Sequence, residues 1–381
     1  MDQQLRSASS MMIDDEIRQL ASRSDTASPF LTLYIDTNRN DAAHRDRIRL
    51  FLKHESQRIR EALETSELNG ALEKGLRQIE RFMENELEPE TRGVAIFACP
   101  QEDFFRALQL PLPVHPELSI SSRPHLRQLV ELRDLFPTAA LAMVDAKSAR
   151  LFELEFGRIL SEIDFSDPDM PRRHDQGGWS QANLQRHVQD HIDRHHQEVA
   201  DMLTRLVDEG RVHDIVVSGQ DRNLANFRSH LPKRVDEKVR GTLHLDIRSN
   251  PSDIIDACQS VLDSARAEQQ RQRLDGLVEL AKKNGRGALG VTRVADAANQ
   301  RKLGELFVSR DSRARGWKCT RCAMIGHQIP LGCPACGGKV LTIDLIEELI
   351  AAAQLENADV EFVASGSVLD RHEGVGATLR F

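Results

Sequence analysis

The sequence predicts a mixed α/β protein of three consecutive units, with a small cysteine-rich ribbon inserted in the last. Three observations carry that reading. Short runs of apolar, β-branched and aromatic residues alternate with long stretches of helical periodicity, the pattern of mixed sheets covered by helices. The chain has 381 residues, enough to build two or three separate cores. Near the end, Cys319-Thr320-Arg321-Cys322 is followed ten residues later by Cys333-Pro334-Ala335-Cys336. The expected units are 1–123, 124–250 and 251–381.

The first unit opens with an amphipathic helix around Ile13 to Ala21, then a strand, Phe30 to Asp36. Two helices follow, near 42–66 and 68–87, with Asn69-Gly70 as the expected break. Ile48, Phe51 and Leu52 recur near helical spacing. Arg45, Arg47, Arg49, Lys53, Arg58 and Arg60 lie on the same helix, either as a solvated face or as a surface turned to phosphate. Gly93 to Cys99 reads as a buried strand, and Pro111 to Pro116 as a loop.

In the second unit, helix Leu126 to Leu135 leads into three strands, Ala139 to Val144, Ala149 to Glu155 and Ile159 to Phe165. Their turns fall at Asp145 to Ser148 and at Gly157-Arg158. A polar loop, 166–181, precedes a long helix near 182–208. Strands Asp214 to Ser218 and Thr242 to Ile247 bracket a further helical pattern. The third unit begins with a helix near 252–283 that stops at Asn284-Gly285. A helix (Gly290 to Ala298), a strand (Gly304 to Ser309) and the ribbon (317–338) come next. Helix Ile343 to Ala353 and strands Val360 to Ala364 and Ala377 to Phe381 close the chain.

Composition narrows the function. Hydrophobic content is 40% and charged content 29%, which fits a globular protein and not a disordered one. No apolar run approaches the roughly 20 residues of a membrane span, and the first residues lack the pattern of a secretion signal. A net charge of −8 argues against a general nucleic-acid coat protein, while leaving local basic patches open. Tyr34, Trp179 and Trp317 are too few rings for an aromatic RNA platform. Four of the six cysteines sit in the ribbon, and Cys99 and Cys258 are expected as buried thiols, a usage that suits a reducing cytoplasm.

Two stretches hold candidate chemistry. Two thiolates on each of two tight knuckles can share one ion at about 2.3 Å. Cys319, Cys322, Cys333 and Cys336 are therefore the expected ligands of one Zn2+ per chain. Four thiolates leave no open position, so that zinc is structural. The second stretch is 171–196, which reads PRRHDQGGWSQANLQRHVQDHIDRHH. Gly177-Gly178 permits close backbone approach to a ligand. Arg172 and Arg173 can grip phosphate, Trp179 can stack on a base, and Gln181 closes the loop. His187, His191 and His195 stand four residues apart and share a helix face. No His-Glu-x-x-His motif accompanies them. With His174 and His196 they are expected as a solvated, partly cationic face that meets RNA.

Taken together, these residues resemble the class-1 release factor and pelota superfamily of archaea and eukaryotes, in a bacterial form. The resemblance is carried by Asn284-Gly285-Arg286-Gly287-Ala288-Leu289-Gly290-Val291-Thr292-Arg293-Val294-Ala295-Asp296-Ala297 and Gly304-Glu305-Leu306-Phe307-Val308-Ser309. It continues through Leu345-Ile346-Glu347-Glu348-Leu349, Val360-Glu361-Phe362-Val363 and the closing Gly374-Val375-Gly376-Ala377-Thr378-Leu379-Arg380-Phe381. It covers 124–381 well and 1–123 weakly. Some members insert a zinc ribbon at this place. The resemblance implies a three-domain, release-factor-like architecture shaped like a tRNA in the ribosomal A site. It also implies a middle domain whose Gly-Gly-Gln loop reaches the peptidyl-transferase centre. Here that loop reads Gly177-Gly178-Trp179-Ser180-Gln181, closer to the Gly-x-x-Gln form of factors that act on stalled large subunits. Gly178 and Gln181 would be its catalytic residues if the protein hydrolyses peptidyl-tRNA. Arg172, Arg173, His174, Gly177, Trp179 and His187 would contact ribosomal RNA. No Asn-Ile-Lys-Ser loop or Tyr-x-Cys motif for codon reading is present. The implied partners are the ribosome, through ribosomal RNA and P-site tRNA, and a translational GTPase such as elongation factor Tu. The leading expectation is a ribosome hibernation factor. The alternatives are a codon-independent peptidyl-tRNA hydrolase and a pelota-like rescue adaptor.

Overall fold

The structure, a computed structural model, describes residues 9–23, 28–37, 44–62, 66–89, 91–166, 180–283 and 285–380. It divides into two compact units: Asp15–Leu135 with Leu274–Phe381, and Met1–Asp14 with Phe136–Arg273. Along the chain come helix α1 (Ser9–Ala21), strand β1 (Phe30–Asp36), helices α2 (His44–Ala62) and α3 (Ser66–Asn85), strands β2 (Gly93–Cys99), β3 (Phe104–Leu110) and β4 (Glu117–Ser121), and helix α4 (Arg127–Leu135). The first sheet runs β3-β2-β1-β4 and is antiparallel throughout. One of its faces presents Leu31, Leu33, Ile35, Val94 and Ile96, which pack against Leu52 and Ile59 of α2 and Leu72, Leu76 and Ile79 of α3. Asn69-Gly70 does not break the helices as expected; both residues lie inside α3. A buried stripe at helical spacing (Leu72, Leu76, Ile79, Phe82) outweighs the roughly 1 kcal/mol that one interior glycine costs.

The next elements are β5 (Ala139–Val144), β6 (Ser148–Glu155), β7 (Arg158–Ser166), α5 (Ser180–Asp208), β8 (Asp214–Ser218), α6 (Asp221–Ser229), α7 (Lys233–Asp236), β9 (Val239–Leu243) and α8 (Pro251–Lys283). Their sheet has the order β7-β6-β5-β8-β9. It is mixed, since β5, β8 and β9 are parallel while β6 and β7 return antiparallel. Strand β5 is apolar at every position because both its faces are covered. Ala140, Ala142 and Val144 meet Val199, Leu203 and Leu206 of α5 and Phe227 of α6. Ala139, Leu141 and Met143 meet Ile254, Cys258 and Leu262 of α8. The last strand falls at Val239–Leu243 and not at 242–247. Its partner β8 ends at Ser218, so pairing stops at Leu243, and the Leu245 N–H donates instead to the Ser218 hydroxyl at 3.1 Å.

The remainder comprises β10 (Gly287–Leu289), α9 (Val291–Asn299), β11 (Leu303–Ser309), β12 (Arg315–Cys319), β13 (Ile325–Gly326), β14 (Val340–Asp344), α10 (Leu345–Leu355), β15 (Asp359–Val363), a 3-10 turn (Val368–His372) and β16 (Val375–Leu379). Strands β10-β16-β11-β15 form one mixed sheet and β13-β12-β14 a second, antiparallel one. The small sheet is inserted between β11 and α10 and carries all four ribbon cysteines on or beside its strands. Both Cys99 and Cys258 are buried thiols, and burial pushes the Cys258 thiol up to about 12.

Candidate functional site

The 29-residue helix α5 is the scaffold for the candidate loop. Its second half is fastened to the sheet by Val199, Ala200, Leu203 and Leu206. It starts at Ser180, so the backbone of Gln181 stands in its first turn, with His187 two turns further along. Arg172, Arg173, His174, Gly177, Gly178 and Trp179 lie outside the described residues, as do the side chains of Gln181 and His187.

Further down the same helix the expectation of a solvated face is corrected at His195 and His196. His195 and His196 are 4% and 0% exposed. The His196 ring meets Phe227 edge-on, with centroids 6.0 Å apart and planes at 85°. Its Nε2 lies 3.3 Å from the Asp145 carbonyl oxygen, which can only accept, and its Nδ1 lies 3.2 Å from the Asn226 amide nitrogen, which can only donate. These partners fix a neutral ring with the proton on Nε2. Burial, with the neighbouring His195 and His230, holds the His196 pKa below the usual range. Asn226 also donates to Asp193 Oδ1 at 2.9 Å, and His230 Nδ1 lies 3.2 Å from Gln197 Oε1. This is a core hydrogen-bond cluster. Its members Asp145, Asn226 and His230 sit on other elements, and no spacing along the helix announces them.

The cysteines come together as expected. The four Sγ atoms lie within 4.8 Å of one another, and among the described residues no other group of three or more His, Cys, Asp or Glu side chains is placed to share an ion. Cys319 Sγ and Cys336 Sγ are 3.5 Å apart, as are Cys322 Sγ and Cys333 Sγ. Four sulfurs set tetrahedrally at about 2.3 Å from a shared ion would be separated by about 3.8 Å, so the set is compatible with one metal ion such as zinc. Cys319 Sγ accepts the N–H of Cys322 at 3.5 Å and that of Arg321 at 3.3 Å. These donors, Cys322 first, pull its thiol down to about 6. Each knuckle is followed by a residue in the left-handed region: Ala323 at φ 59° and Gly337 at φ 68°. Gly338 leaves little space for a side chain. A Cβ there would lie 3.1 Å from Cys319 Sγ and 3.2 Å from Cys336 Sγ.

The ribbon is pinned at its base by side chains that the spacing of the cysteines does not reveal. The Asn299 amide donates to the Ile325 carbonyl at 2.8 Å, and its oxygen accepts the Ile325 N–H at 3.0 Å. Lys318 Nζ reaches both oxygens of Glu348, at 3.1 and 3.2 Å, and Arg123 Nε lies 2.7 Å from the same carboxylate. Next to it Glu347 accepts the Leu126 N–H at 2.8 Å and caps α4. Arg127 donates to the Ser312 and Ser309 carbonyls at 2.7 and 3.1 Å. His125 Nδ1 stands 3.1 Å from Glu117 Oε1 and its side chain is 16% exposed. Burial pulls its pKa down, but the Glu117 hydrogen bond and the Glu347 charge outweigh burial and push it up to about 9.

Residues 124–270 match the model of bacterial archaeo-eukaryotic release factor family 10. Over those residues the chain is similar to the bacterial branch of the archaeo-eukaryotic release-factor superfamily. Uncharacterised proteins of two Mycobacterium tuberculosis strains are 27% identical over 192 residues, which is 50% of this chain and 50% of theirs. The chain thus spans about half the length of the curated relatives it matches. Among solved structures, an archaeal translation termination factor is 16% identical over 98% of both chains, with a TM-score of 0.25. The Pelota of Archaeoglobus fulgidus is 17% identical over 76% of this chain and 79% of its own, with a TM-score of 0.32. An archaeal Pelota described as ribosome-bound is 16% identical over 73% and 72%, with a TM-score of 0.41. None of the three superposes closely along its length.

Proposed function

We propose that this chain is a ribosome-binding translation factor that enters the A site in a tRNA-like manner, directs the 171–181 loop towards the peptidyl-transferase centre, and serves as a hibernation factor. The observation that carries the reading is the release-factor match over 124–270, which contains both that loop and the helix α5 behind it. The zinc ribbon is structural on this reading, with Cys319, Cys322, Cys333 and Cys336 holding one Zn2+. The missing codon-reading motifs favour a role without stop-codon recognition. Occupation without chemistry is also favoured by Trp179, which adds bulk inside the Gly-Gly-x-x-Gln loop. In this the chain would resemble the hibernation factor Balon of the same superfamily, with a translational GTPase such as elongation factor Tu as its delivery partner.

One residue favours a second reading. Gln181 is retained at the position from which a release-factor loop orients water. Ester hydrolysis needs a water held in line with the carbonyl and a donor near the developing oxyanion. Gln181 and the adjoining backbone are residue types that can supply both. The test uses ribosomes carrying labelled peptidyl-tRNA in the P site. The hibernation reading expects wild type to co-sediment without releasing peptide, Trp179→Ala to weaken co-sedimentation, and Gln181→Ala to leave it intact. Fast peptide release that Gln181→Ala abolishes would replace this reading by the hydrolase. Failure of wild type to co-sediment at all would remove both.

A further inference from the structure

The charge of the ribbon is unlike that of the rest of the chain. From Ser312 to Ile343 there are five basic residues and no Asp or Glu, in a protein of net charge −8. Elsewhere arginines are commonly neutralised at short range, as with Arg211–Glu153 and Arg228–Asp236 at 2.7 Å and Arg234–Asp208 at 2.8 Å. Within the ribbon, Lys318 is engaged by Glu348. Arg315, Arg321 and Lys339 are exposed and have no ion-pair partner among the described residues. Two of them share the knuckle end of the ribbon. The Thr320 N–H donates to the Lys339 carbonyl at 3.0 Å, and Arg321 Cβ lies 3.1 Å from where a Cβ on Gly338 would stand. Arg315 begins β12, with Trp317 and Cys319 at alternate positions along it, and stands opposite Asp344 in the register with β14; Asp311 and Asp344 bound the stretch without acidic residues.

These cations stand on a scaffold that is already fixed. Trp317 is 4% exposed, Asn299 clamps the base, and the four thiolates are placed to close the tip around an ion. Four thiolates around one Zn2+ would carry two negative charges, which the three free cations exceed. A preorganised, unneutralised basic surface matches a polyanion backbone. Trp317 is buried and the partly exposed His327 ring is turned to Glu373 at 3.8 Å, so the ribbon offers no exposed tryptophan, tyrosine or phenylalanine for bases to stack on.

We infer that the ribbon face of Arg315, Arg321 and Lys339 binds the phosphate backbone of RNA, without sequence preference. The inference deepens the ribosome-bound reading and rests on it for the source of that RNA. The competing occupant is a protein, favoured by the exposed Ile329 (55%) and Leu331 (109%) on the loop between the knuckles.

The experiment measures anisotropy of a fluorescein-labelled RNA hairpin with the full, zinc-loaded chain, across roughly 50 to 200 mM KCl. The variant Arg315→Glu/Arg321→Glu/Lys339→Glu is expected to bind roughly tenfold more weakly or worse. Its plot of log affinity against log salt should be shallower by about 2, since up to three phosphate contacts are lost. Zinc content should stay at that of wild type. If reversal disturbs metal binding, the milder Arg315→Gln/Arg321→Gln/Lys339→Gln chain carries the same expectation at smaller size. Unchanged affinity and salt slope in a zinc-loaded variant overturn the inference. So does a result in which Ile329→Ser/Leu331→Ser abolishes ribosome co-sedimentation while the charge variant retains it, because the partner is then a protein surface. A wild-type chain that binds the hairpin through these three residues yet ignores ribosomes sinks the functional reading alone.

Discussion

Among the described residues, four cysteines and three histidines each form a cluster of metal-type side chains, and they do opposite things. The cysteines sit on two knuckles whose sulfurs converge within 4.8 Å. Two backbone N–H groups donate to the Cys319 sulfur, as they would to a bound thiolate. His195, His196 and His230 also cluster, but they are packed among Phe227 and Asn226, and His196 is held neutral. The difference lies in what surrounds the donor atoms. Donors that point N–H groups at sulfur create a site. A carbonyl and an amide on either side of an imidazole consume both its nitrogens and create a core.

The sharpest way to break this contrast is to remove one sulfur. Cys333→Ser should drop zinc from one equivalent to well under one by elemental analysis. It should also erase amide protection over 315–344, because four-thiolate binding is worth on the order of 10 kcal/mol to a ribbon of this size. The sheet of β5, β6, β8 and β9 should keep its protection. Finding full zinc occupancy in the variant would show that the four sulfurs are not the ligand set.

A smaller effect tests the histidine side. The folded pKa of His196 lies below its unfolded value of about 6.5. Stability from the neutral ring is therefore present above that value and lost as pH falls below it, since the unfolded chain then binds the extra proton. The thermal stability of the unit at 136–273 should fall as pH falls from about 7 to 5. His196→Gln should flatten that dependence by up to one proton while costing about 1 to 2 kcal/mol at neutral pH. His125 should behave in reverse. Its folded pKa of about 9 is raised, so its contribution is full below about 6.5 and disappears as pH rises through 9. A titration that shows His196 charged at neutral pH would erase the distinction between the two clusters.

The smallest effect compares the two knuckles with each other. Ala323 adopts at φ 59° the conformation that Gly337 adopts at φ 68°. Ala323→Gly should stabilise the ribbon by up to about 1 kcal/mol, and Gly337→Ala should destabilise it by a similar amount, read as shifts in zinc affinity under chelator competition. Equal, unshifted affinities would mean that knuckle geometry does not limit binding.

These contrasts also mark what was legible in the sequence. The cysteine set was legible because a tight turn is local: Cys-x-x-Cys fixes where both sulfurs go before any tertiary contact forms. Strands such as Ala139–Val144 and Gly93–Cys99 were legible because burial on both faces leaves an unbroken apolar run. His195 and His196 misled, because spacing along a helix states which residues share a side but not whether that side meets solvent or Phe227. Strand β9 was displaced because its end is set by where β8 stops. Strands β3 and β4 were missed, being only half-buried and carrying polar residues within each run. The anchors Asn299, Arg123 and Glu348 give no local signal, since their partners are remote. The loop residues from Arg172 to Trp179 lie outside the described residues, and their roles stand on the resemblance and on the assays above.

The cap that Glu347 places on α4 has a consequence for synthesis. The Leu126 N–H and its acceptor are 221 residues apart in the chain, and Arg127 finds its carbonyl partners 182 to 185 residues downstream. When Leu135 leaves the ribosome that makes it, none of these partners yet exists. The sheet at 136–273 has all its strands available well before Glu347 emerges. A chain made from its N-terminus therefore completes the later-starting unit first and must keep Arg123 and Arg127 hydrated until the last stretch arrives. Nascent chains arrested once residue 273 has emerged, but before Glu347 has, should resist protease across the second sheet while remaining cleavable around α4.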